Sequence, residues 1–313
     1  MKKRIYKDGA FHHIYQNSIN GYLIFYSTRD ILVFFTNVCI SAKKHNIKVL
    51  DISIMLDHDH QLVRAPSKQT FFDFVRDYTR AYTKSRNEGP IFNTPFGFAA
   101  KVGDKKVRTA IAYLFNNQVE KQLCNYAEES LWNFLAYYNN DHPFSERIIK
   151  EKASRPMRRA LLEIDRVHKQ GLAVNYQLLE RITHPLKPAE IRQLTDYIIT
   201  KYNCIDYDEL ICFYGSYENM LLAIHSNTGS EHDLNETFSP GSDRVYLKLI
   251  EKAASWLGYP TLKDLLSAPL EARISAQYKL ARSGWATKEQ VRKFLRIPIA
   301  SVKISPESLF LHI

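Results

Sequence analysis

The pattern of apolar and polar positions divides the chain into a mixed first part and a helical second part. Up to about residue 125, β-rich runs alternate with segments in which apolar side chains recur every three or four positions, the spacing of one helix face. The predicted strands are 11–15, 22–25, 48–63 and 91–102, and the predicted helices are 27–45, 67–86 and 105–122. Asn20-Gly21 is a hairpin-turn signal between the first two strands, and a bend near Asp57 splits the third. This order predicts an α+β fold, in which helices pack on an antiparallel sheet.

From about residue 130 the strand-like runs disappear. The predicted helices are 132–138, 158–170, 188–202, 206–213, 243–257 and 261–267, and the polar segment 226–242 is predicted to be a linker. Helices at 270–282 and 286–295, joined by a tight turn, are typical of a helix-turn-helix, and Thr287 with Gln290 forms a capping-box pattern in the second of them. We therefore predict an α+β domain at 1–128 and an all-α domain at 129–313, with a candidate DNA-binding helix-turn-helix at 270–296.

The amino-acid composition indicates what kind of molecule the protein binds. The 313 residues include 43 Lys and Arg against 33 Asp and Glu, giving a net charge of +10 and a pI of about 9.2. This excess favours a polyanionic partner, nucleic acid before a membrane surface, although a merely basic soluble protein has the same composition. The 19 Tyr and 17 Phe include candidates for stacking on unpaired bases.

Three features of the sequence bear on location. The four cysteines include no C-x-x-C pair and are predicted to be reduced thiols. The basic residues 1–4 are not followed by the apolar run of a signal peptide. The apolar stretch 22–40 is interrupted by Arg29 and Asp30, which disfavours a membrane span. We expect a cytoplasmic protein without a membrane partner.

The candidate chemistry begins with two histidines at the end of an apolar stretch. His58 and His60 are two positions apart on a predicted strand, so their side chains share a face and form half of a divalent-metal site. An isolated pair of this kind more often has a structural role. Tyr113 and Asn117 are four positions apart on a predicted helix and also share a face. Together they offer a nucleophile and an oxygen ligand.

Residues 6–123 resemble the single-tyrosine HUH transposases, which are the insertion-sequence transposases and their REP-associated relatives. Residues 55–62, Met-Leu-Asp-His-Asp-His-Gln-Leu, occupy the place of the family's His-hydrophobic-His strand. Residues 112–119, Ala-Tyr-Leu-Phe-Asn-Asn-Gln-Val, resemble the helix that carries the nucleophilic tyrosine. Further segments agree in order and spacing, namely 11–14, 24–25, 74–87 and 89–98. The resemblance implies an HUH fold, a ferredoxin- or RRM-like antiparallel sheet with packed helices.

The same resemblance implies a function. Tyr113 would attack single-stranded or hairpin DNA to give a 5′-phosphotyrosine and a free 3′-OH, followed by strand transfer in DNA transposition. His58 and His60 would bind Mg²⁺ or Mn²⁺ together with Asn117, or with Gln118 instead, and the resemblance also allows a homodimer. The cations predicted to contact DNA are Arg76, Arg80, Lys84 and Arg86 on the helix at 67–86, and Lys288, Arg292 and Lys293 in the helix-turn-helix.

Asp59 departs from the family pattern, because it stands between the histidines where the family has a hydrophobic residue. Its side chain is expected to point away from the metal into the core, where a carboxylate needs a partner or a proton. This residue motivates an alternative function, a degenerate or domesticated DNA-binding protein or regulator that does not cut. A metal hydrolase unrelated to nucleic acid is disfavoured by the basic charge and the lack of a carboxylate cluster. His12 and His13 are consecutive and cannot both face the site, so we expect structural roles for them.

Overall fold

Four strands form one antiparallel sheet in the N-terminal part of the chain. The computed structural model describes residues 5–226 and 242–299. The strands are β1 (Phe11–Asn17), β2 (Lys48–Ile54), β3 (His58–Arg64) and β4 (Gly97–Lys101), and their order in the sheet is β2-β3-β1-β4. The helices between and after them are α1 (Thr28–Lys44), α2 (Lys68–Arg86) and α3 (Asp104–Glu120). The chain therefore follows the β-α-β-β-α-β order of ferredoxin-like folds, and the predicted α+β class with helices packed on an antiparallel sheet is confirmed.

The helices lie on both faces of this sheet. Serine side chains start α1 and α2, since Ser27 accepts a hydrogen bond from the backbone N–H of Asp30 and Ser67 from that of Thr70. Both helices pack on one face, where Tyr78 of α2 reaches β1. The third helix, α3, covers the opposite face. Because successive side chains of a strand point to opposite faces of the sheet, they pack alternately against α1 and α2 or against α3.

The predicted hairpin after β1 is wrong. Residues 19–21 form a short 3-10 turn, and residues 22–25 form no strand. Because β1 is paired with β3 on one side and β4 on the other, it has no open edge for a hairpin partner. The segment instead bonds elsewhere: the backbone N–H groups of Ile24 and Phe25 donate to the carbonyl of Leu56.

The remainder of the described chain is helical. The helices are α4 (Arg155–Lys169), α5 (Tyr176–Thr183), α6 (Pro188–Tyr202), α7 (Tyr207–Cys212), α8 (Tyr217–His225), α9 (Arg244–Trp256), α10 (Leu262–Ser267), α11 (Leu270–Arg282) and α12 (Lys288–Phe294). The helix predicted at 132–138 is wrong, because Phe134 has a left-handed backbone conformation and only Leu135–Tyr137 forms a 3-10 turn. The short helices α5 and α8 were not predicted. The predicted linker at 226–242 lies, apart from its two end residues, outside the described residues.

Two hydrophobic cores hold these elements together. The first extends from Phe11 to Ile224 and includes residues on both sides of the domain boundary predicted at residue 128. The second joins α9–α12 to Leu23, Tyr26 and Leu56. The last four helices are thereby fixed to the loop after β1 and to the turn that precedes β3. Within residues 5–226 and 242–299, no helix combines the length and the apolarity needed to cross a membrane.

Candidate active site

Alternate residues of β1 and β3 form a polar patch on the face of the sheet that α3 covers. The strands pair so that Tyr15 lies opposite His60 and Asn17 lies opposite His58. Because directly opposite residues project to the same face, His58 and His60 share this face with Tyr15 and with His13. The ring centres of His58 and His60 are 4.9 Å apart.

Tyr113 projects from α3 onto this patch. Its ring centre lies 5.9 Å from that of His60 and 6.0 Å from that of His13. Tyr15 stacks on His60 with the ring centres 5.0 Å apart. Tyr113 is 5% exposed, whereas the His58 side chain is 17% exposed. The patch is therefore most open to solvent at its His58 end.

Hydrogen bonds at Nδ1 orient both imidazoles. His58 Nδ1 donates to Oδ1 of Asp57 over 2.6 Å, and Nδ1 of His60 is 2.9 Å from Nε2 of His13. Burial holds the pKa of His13 well below its ordinary value, aided by the charge of Lys101. Burial likewise lowers the pKa of His60, aided by the two neighbouring histidines. His13 and His60 are therefore neutral at pH 7, which is the form that binds a metal.

The two amide side chains considered as the third ligand have different environments. Gln118 has a structural role, because its Nε2 donates to the carbonyl of Ile54 over 3.1 Å and its Oε1 accepts from Ser130 Oγ. Asn117 lies one helical turn after Tyr113 and is buried, and its Nδ2 has no hydrogen-bond partner among the described residues. An N–H donor buried in this way is costly unless an acceptor binds it, but it cannot bind a metal. Because both polar atoms of Gln118 are used in internal hydrogen bonds, the amide oxygen of Asn117 is the better candidate ligand of the two.

These side chains fit a divalent metal in part. Because Nδ1 of His58 donates to Asp57, its Nε2 carries the lone pair that can bind a metal, and such a neighbour fixes the ring for this role. Across residues 5–226 and 242–299, no group of three or more His, Cys, Asp and Glu side chains is arranged to hold a metal ion. A site at His58 and His60 therefore needs an amide such as Asn117, with water or substrate oxygens, to complete it.

The C-terminal helices contribute a lysine to the His58 end of the patch. The backbone N–H of Leu23 donates to the carbonyl of Lys293 over 3.3 Å, which fixes α12 against the loop after β1. Nζ of Lys293 lies 3.8 Å from Oδ2 of Asp57, the carboxylate that orients His58. Burial raises the pKa of Asp57, but His58, Lys293 and Lys121 together outweigh burial and lower it below its ordinary value. Asp57 is therefore an ionised acceptor for His58.

Asp59 projects to the opposite face, between the sheet and the layer of α1 and α2. Gln61 Nε2 donates to Oδ2 of Asp59 over 2.8 Å, and Tyr78 donates to Oε1 of Gln16 over 3.0 Å beside it. Oδ1 of Asp59 has no partner among the described residues. Burial raises the pKa of Asp59 to about 7. The expected orientation, away from the histidines and into the core, is thus the one observed.

The cations predicted on α2 lie far from the patch or are not accessible. Arg76, Arg80 and Lys84 are exposed on the outer face of α2, so the sheet separates them from His58 and His60. Arg86 was predicted to contact DNA, but its side chain is 6% exposed and its Nη1 lies 2.9 Å from Oδ1 of Asp30. This internal ion pair joins the end of α2 to the start of α1, and it corrects the prediction.

The cations predicted in the helix-turn-helix also divide by accessibility. The side chain of Arg292 is 3% exposed, pairs with Glu289 and donates to the carbonyl of Asn20 over 2.9 Å. It holds α12 in place and is not available to phosphates, contrary to the prediction. Lys288 is exposed, with Nζ 4.8 Å from the centre of the Tyr278 ring. The two helices are observed near their predicted positions, but α12 is docked on the N-terminal loop.

Sequence reasoning missed His13 and Tyr15 as members of the patch. His12 does point to the other face, where it stacks on Tyr6 with ring centres 4.5 Å apart. The alternation along β1 shows that only one of the consecutive histidines can face α3. Which one does so depends on the pairing with β3, and the sequence alone contains no signal for that register.

Comparisons with known proteins give one weak likeness. No protein-family model matches the chain, and none of the curated proteins matches it. A solved structure of a REP-associated tyrosine transposase bound to a REP hairpin is similar at 14% sequence identity and a TM-score of 0.40. That likeness covers 44% of this chain and 83% of the transposase chain. At this level it assigns no family, and the chemistry of the patch rests on its own residues.

Proposed function

We propose that this chain is a transposase-type DNA strand transferase that cuts single-stranded or hairpin DNA with Tyr113. The observation that supports this is the contact of the Tyr113 ring with His60, on the face that also carries His58. A potential nucleophile beside two oriented imidazoles is the arrangement that phosphoryl transfer to tyrosine needs. The basic net charge of +10 suits a nucleic-acid substrate.

The proposed reaction exchanges one phosphoester bond for another. Tyr113 Oη forms a bond to the scissile phosphorus and gives up its proton. The bond from phosphorus to the 3′ oxygen breaks, and that oxygen takes up a proton to become a 3′-OH. Because the 5′-phosphotyrosine conserves the energy of the bond, a second 3′-OH can rejoin the strand without ATP.

The chain's own residues have separate parts in this reaction. The groups that would hold a divalent metal are Nε2 of His58, the imidazole of His60 and the amide oxygen of Asn117. The chemistry that bound Mg²⁺ or Mn²⁺ supplies is neutralisation of charge on the scissile phosphate. Asp57 orients His58, and Lys293 adds a fixed positive charge at the open end of the patch.

The alternative of a DNA-binding protein that does not cut was motivated by Asp59. As expected, that carboxylate lies on the opposite face of β3, where it accepts a hydrogen bond from Gln61 and burial raises its pKa to about 7. The need of a buried carboxyl for a partner or a proton is met on that face, which weakens the argument from Asp59 to the alternative. Titration with Mn²⁺ separates the two functions, since a protein that only binds DNA needs no metal at His58 and His60.

The test is covalent capture of DNA. The full chain is incubated with a 3′-labelled hairpin oligonucleotide and Mn²⁺, and the products are separated on a denaturing gel. We expect a labelled protein adduct that is absent in Tyr113→Phe and after chelation of the metal. Tyr15→Phe is the matched control, because Tyr15 also contacts His60, and its adduct should persist. The proposal is contradicted if Tyr113→Phe still forms the adduct, or if the correctly folded wild-type protein forms none.

A further inference from the structure

One face of α9 carries a row of cations that the proposed chemistry does not use. Arg244, Lys248 and Lys252 are four positions apart, and Trp256 follows after four more. Residues at this spacing are neighbours on a helix surface, and all four are exposed. Glu251 is the acidic side chain of α9 on this face, so three positive charges meet one negative charge.

An aromatic pair ends the row. The indole of Trp256, which is 42% exposed, contacts that of Trp285 in the turn between α11 and α12. Nζ of Lys248 lies 3.3 Å from the centre of the Trp285 ring. Trp285 is half-buried, so the exposed indole of the pair is that of Trp256. An exposed indole beside cations is the combination that binds an unpaired base and its phosphates.

The other end of the row lies at the candidate active site. The backbone N–H of Asp243, the residue before α9, donates to the carbonyl of Lys121 at the end of α3 over 3.0 Å. The carbonyl of Ser242 accepts from Nε2 of Gln290 in α12 over 3.3 Å, and Nζ of Lys293 in the same helix lies 3.8 Å from Oδ2 of Asp57. The start of α9 is therefore held near the His58 end of the patch. At about 1.5 Å per residue, α9 then extends roughly 20 Å away from that end.

We propose that this surface, made of Arg244, Lys248, Lys252, Trp256 and Trp285, binds the single-stranded DNA that flanks the cut phosphate. The inference rests on the proposed function. Phosphates of the flank lie along the cations, and an unpaired base stacks on the tryptophans. A duplex hides its base faces, so the indoles select a single strand.

The test measures DNA binding in a Tyr113→Phe background, so that no cleavage intervenes. The probes are a fluorescent hairpin with a ten-nucleotide single-stranded flank and the same hairpin without the flank. We expect the flank to increase affinity about tenfold or more, and Lys248→Glu/Lys252→Glu to abolish most of that gain. The slope of log affinity against log salt should fall by about 0.7 for each phosphate that the variant no longer neutralises. The matched control, Lys150→Glu/Lys152→Glu, changes two other exposed lysines and should keep the gain.

A second measurement tests the indoles. Binding of the flanked hairpin should quench tryptophan fluorescence, and Trp256→Ala should remove much of both the quenching and the gain in affinity. Equal gains in Lys248→Glu/Lys252→Glu and in its parent overturn the inference, and a duplex flank that binds as tightly as the single strand also overturns it. If the wild type forms the Tyr113 adduct but the substitutions in α9 leave the gain in affinity unchanged, only this inference fails. If the gain depends on α9 but no adduct forms, only the proposed function fails.

Discussion

The two faces of β3 bury polar side chains for different reasons. On the face that α3 covers, His58 and His60 meet hydrogen-bonding partners at Nδ1, which orient both rings. Donation from His58 to Asp57 also favours metal binding at Nε2 of His58. On the opposite face, Asp59 has Gln61 as its partner and one oxygen with none among the described residues. Burial lowers the pKa of His60 and raises the pKa of Asp59. Burial thus favours the uncharged form of both groups, but the proposed chemistry uses a neutral group only on the first face.

This difference predicts that substitutions on the first face alter cleavage and that substitutions on the second face alter stability. Adjacent residues of one strand form natural pairs for such a test, because they share a local backbone and differ in the layer they face. The predictions below are ordered by their expected effect on DNA cleavage.

The largest effect is expected for His58→Ala. Removal of one of the two imidazoles should lower the rate of adduct formation about 100-fold or more, since even groups behind the ligands contribute 10- to 100-fold. Rates are measured with the labelled hairpin across a titration of Mn²⁺. Asp59→Asn, the next residue on the other face, is the control and should cleave at the wild-type rate. If both variants lost a comparable part of the rate of adduct formation, the two faces of β3 would not differ in function.

His13 is expected to have the next largest effect, because it is hydrogen-bonded to His60 and orients it. His13→Gln should weaken Mn²⁺ binding about 10- to 100-fold, the usual contribution of a residue that positions a ligand. The binding is measured by calorimetry, and thermal unfolding reports whether the variant is folded. His12→Gln changes the adjacent histidine on the other face and should leave Mn²⁺ affinity unchanged. A loss of affinity in His12→Gln alone would reverse our assignment of the two residues.

The features that the sequence predicted correctly depend on residues close together in the chain. Serine caps and helical spacing gave α1 and α2 nearly their observed bounds, and the bend at Asp57 separates β2 from β3 as predicted. The alternation of side chains also gave the orientation of Asp59. All of these depend on residues within a few positions of one another.

What could not be predicted depends on partners distant in the chain. The membership of His13 follows from the register of β1 against β3, about 47 positions away. Arg86 has the spacing of a solvated helix face, yet its partner Asp30 lies 56 positions earlier. Arg292 likewise donates to Asn20 across the whole chain. A charge pattern alone does not distinguish an internal ion pair from a phosphate contact.

Lys293 should have a smaller effect on cleavage than either histidine. Its Nζ lies near Asp57 and does not contact the proposed ligands. Lys293→Met should therefore lower the rate of adduct formation about tenfold, which corresponds to an activation free energy higher by about 1.4 kcal/mol. Mn²⁺ affinity should change little. Lys288→Met removes an exposed lysine from the same helix and serves as the control. An unchanged rate in Lys293→Met would show that α12 has only a packing role at the site.

Asp59→Asn is expected to leave cleavage unchanged and to alter the pH dependence of stability. The pKa of Asp59 rises from its ordinary 3.8 to about 7 on folding. Between these two pH values the folded protein therefore holds a proton on Asp59 that the unfolded chain has released. Its contribution to stability is complete below about pH 4 and is lost as the pH rises towards 7. At about 1.4 kcal/mol for each pKa unit, the loss is at most about 4 kcal/mol.

Asparagine does not ionise, and its amide can still bond to Gln61. The free energy of unfolding of Asp59→Asn, measured by urea denaturation from pH 4 to pH 8, should therefore exceed that of the wild type by an amount that grows towards pH 7. Other buried carboxyls such as Asp51 titrate equally in both proteins, so the difference between the two curves isolates Asp59. Parallel curves would mean that Asp59 is solvated or paired in the folded state. The opposite face of β3 would then be a second open surface, and the contrast between the two faces would not hold.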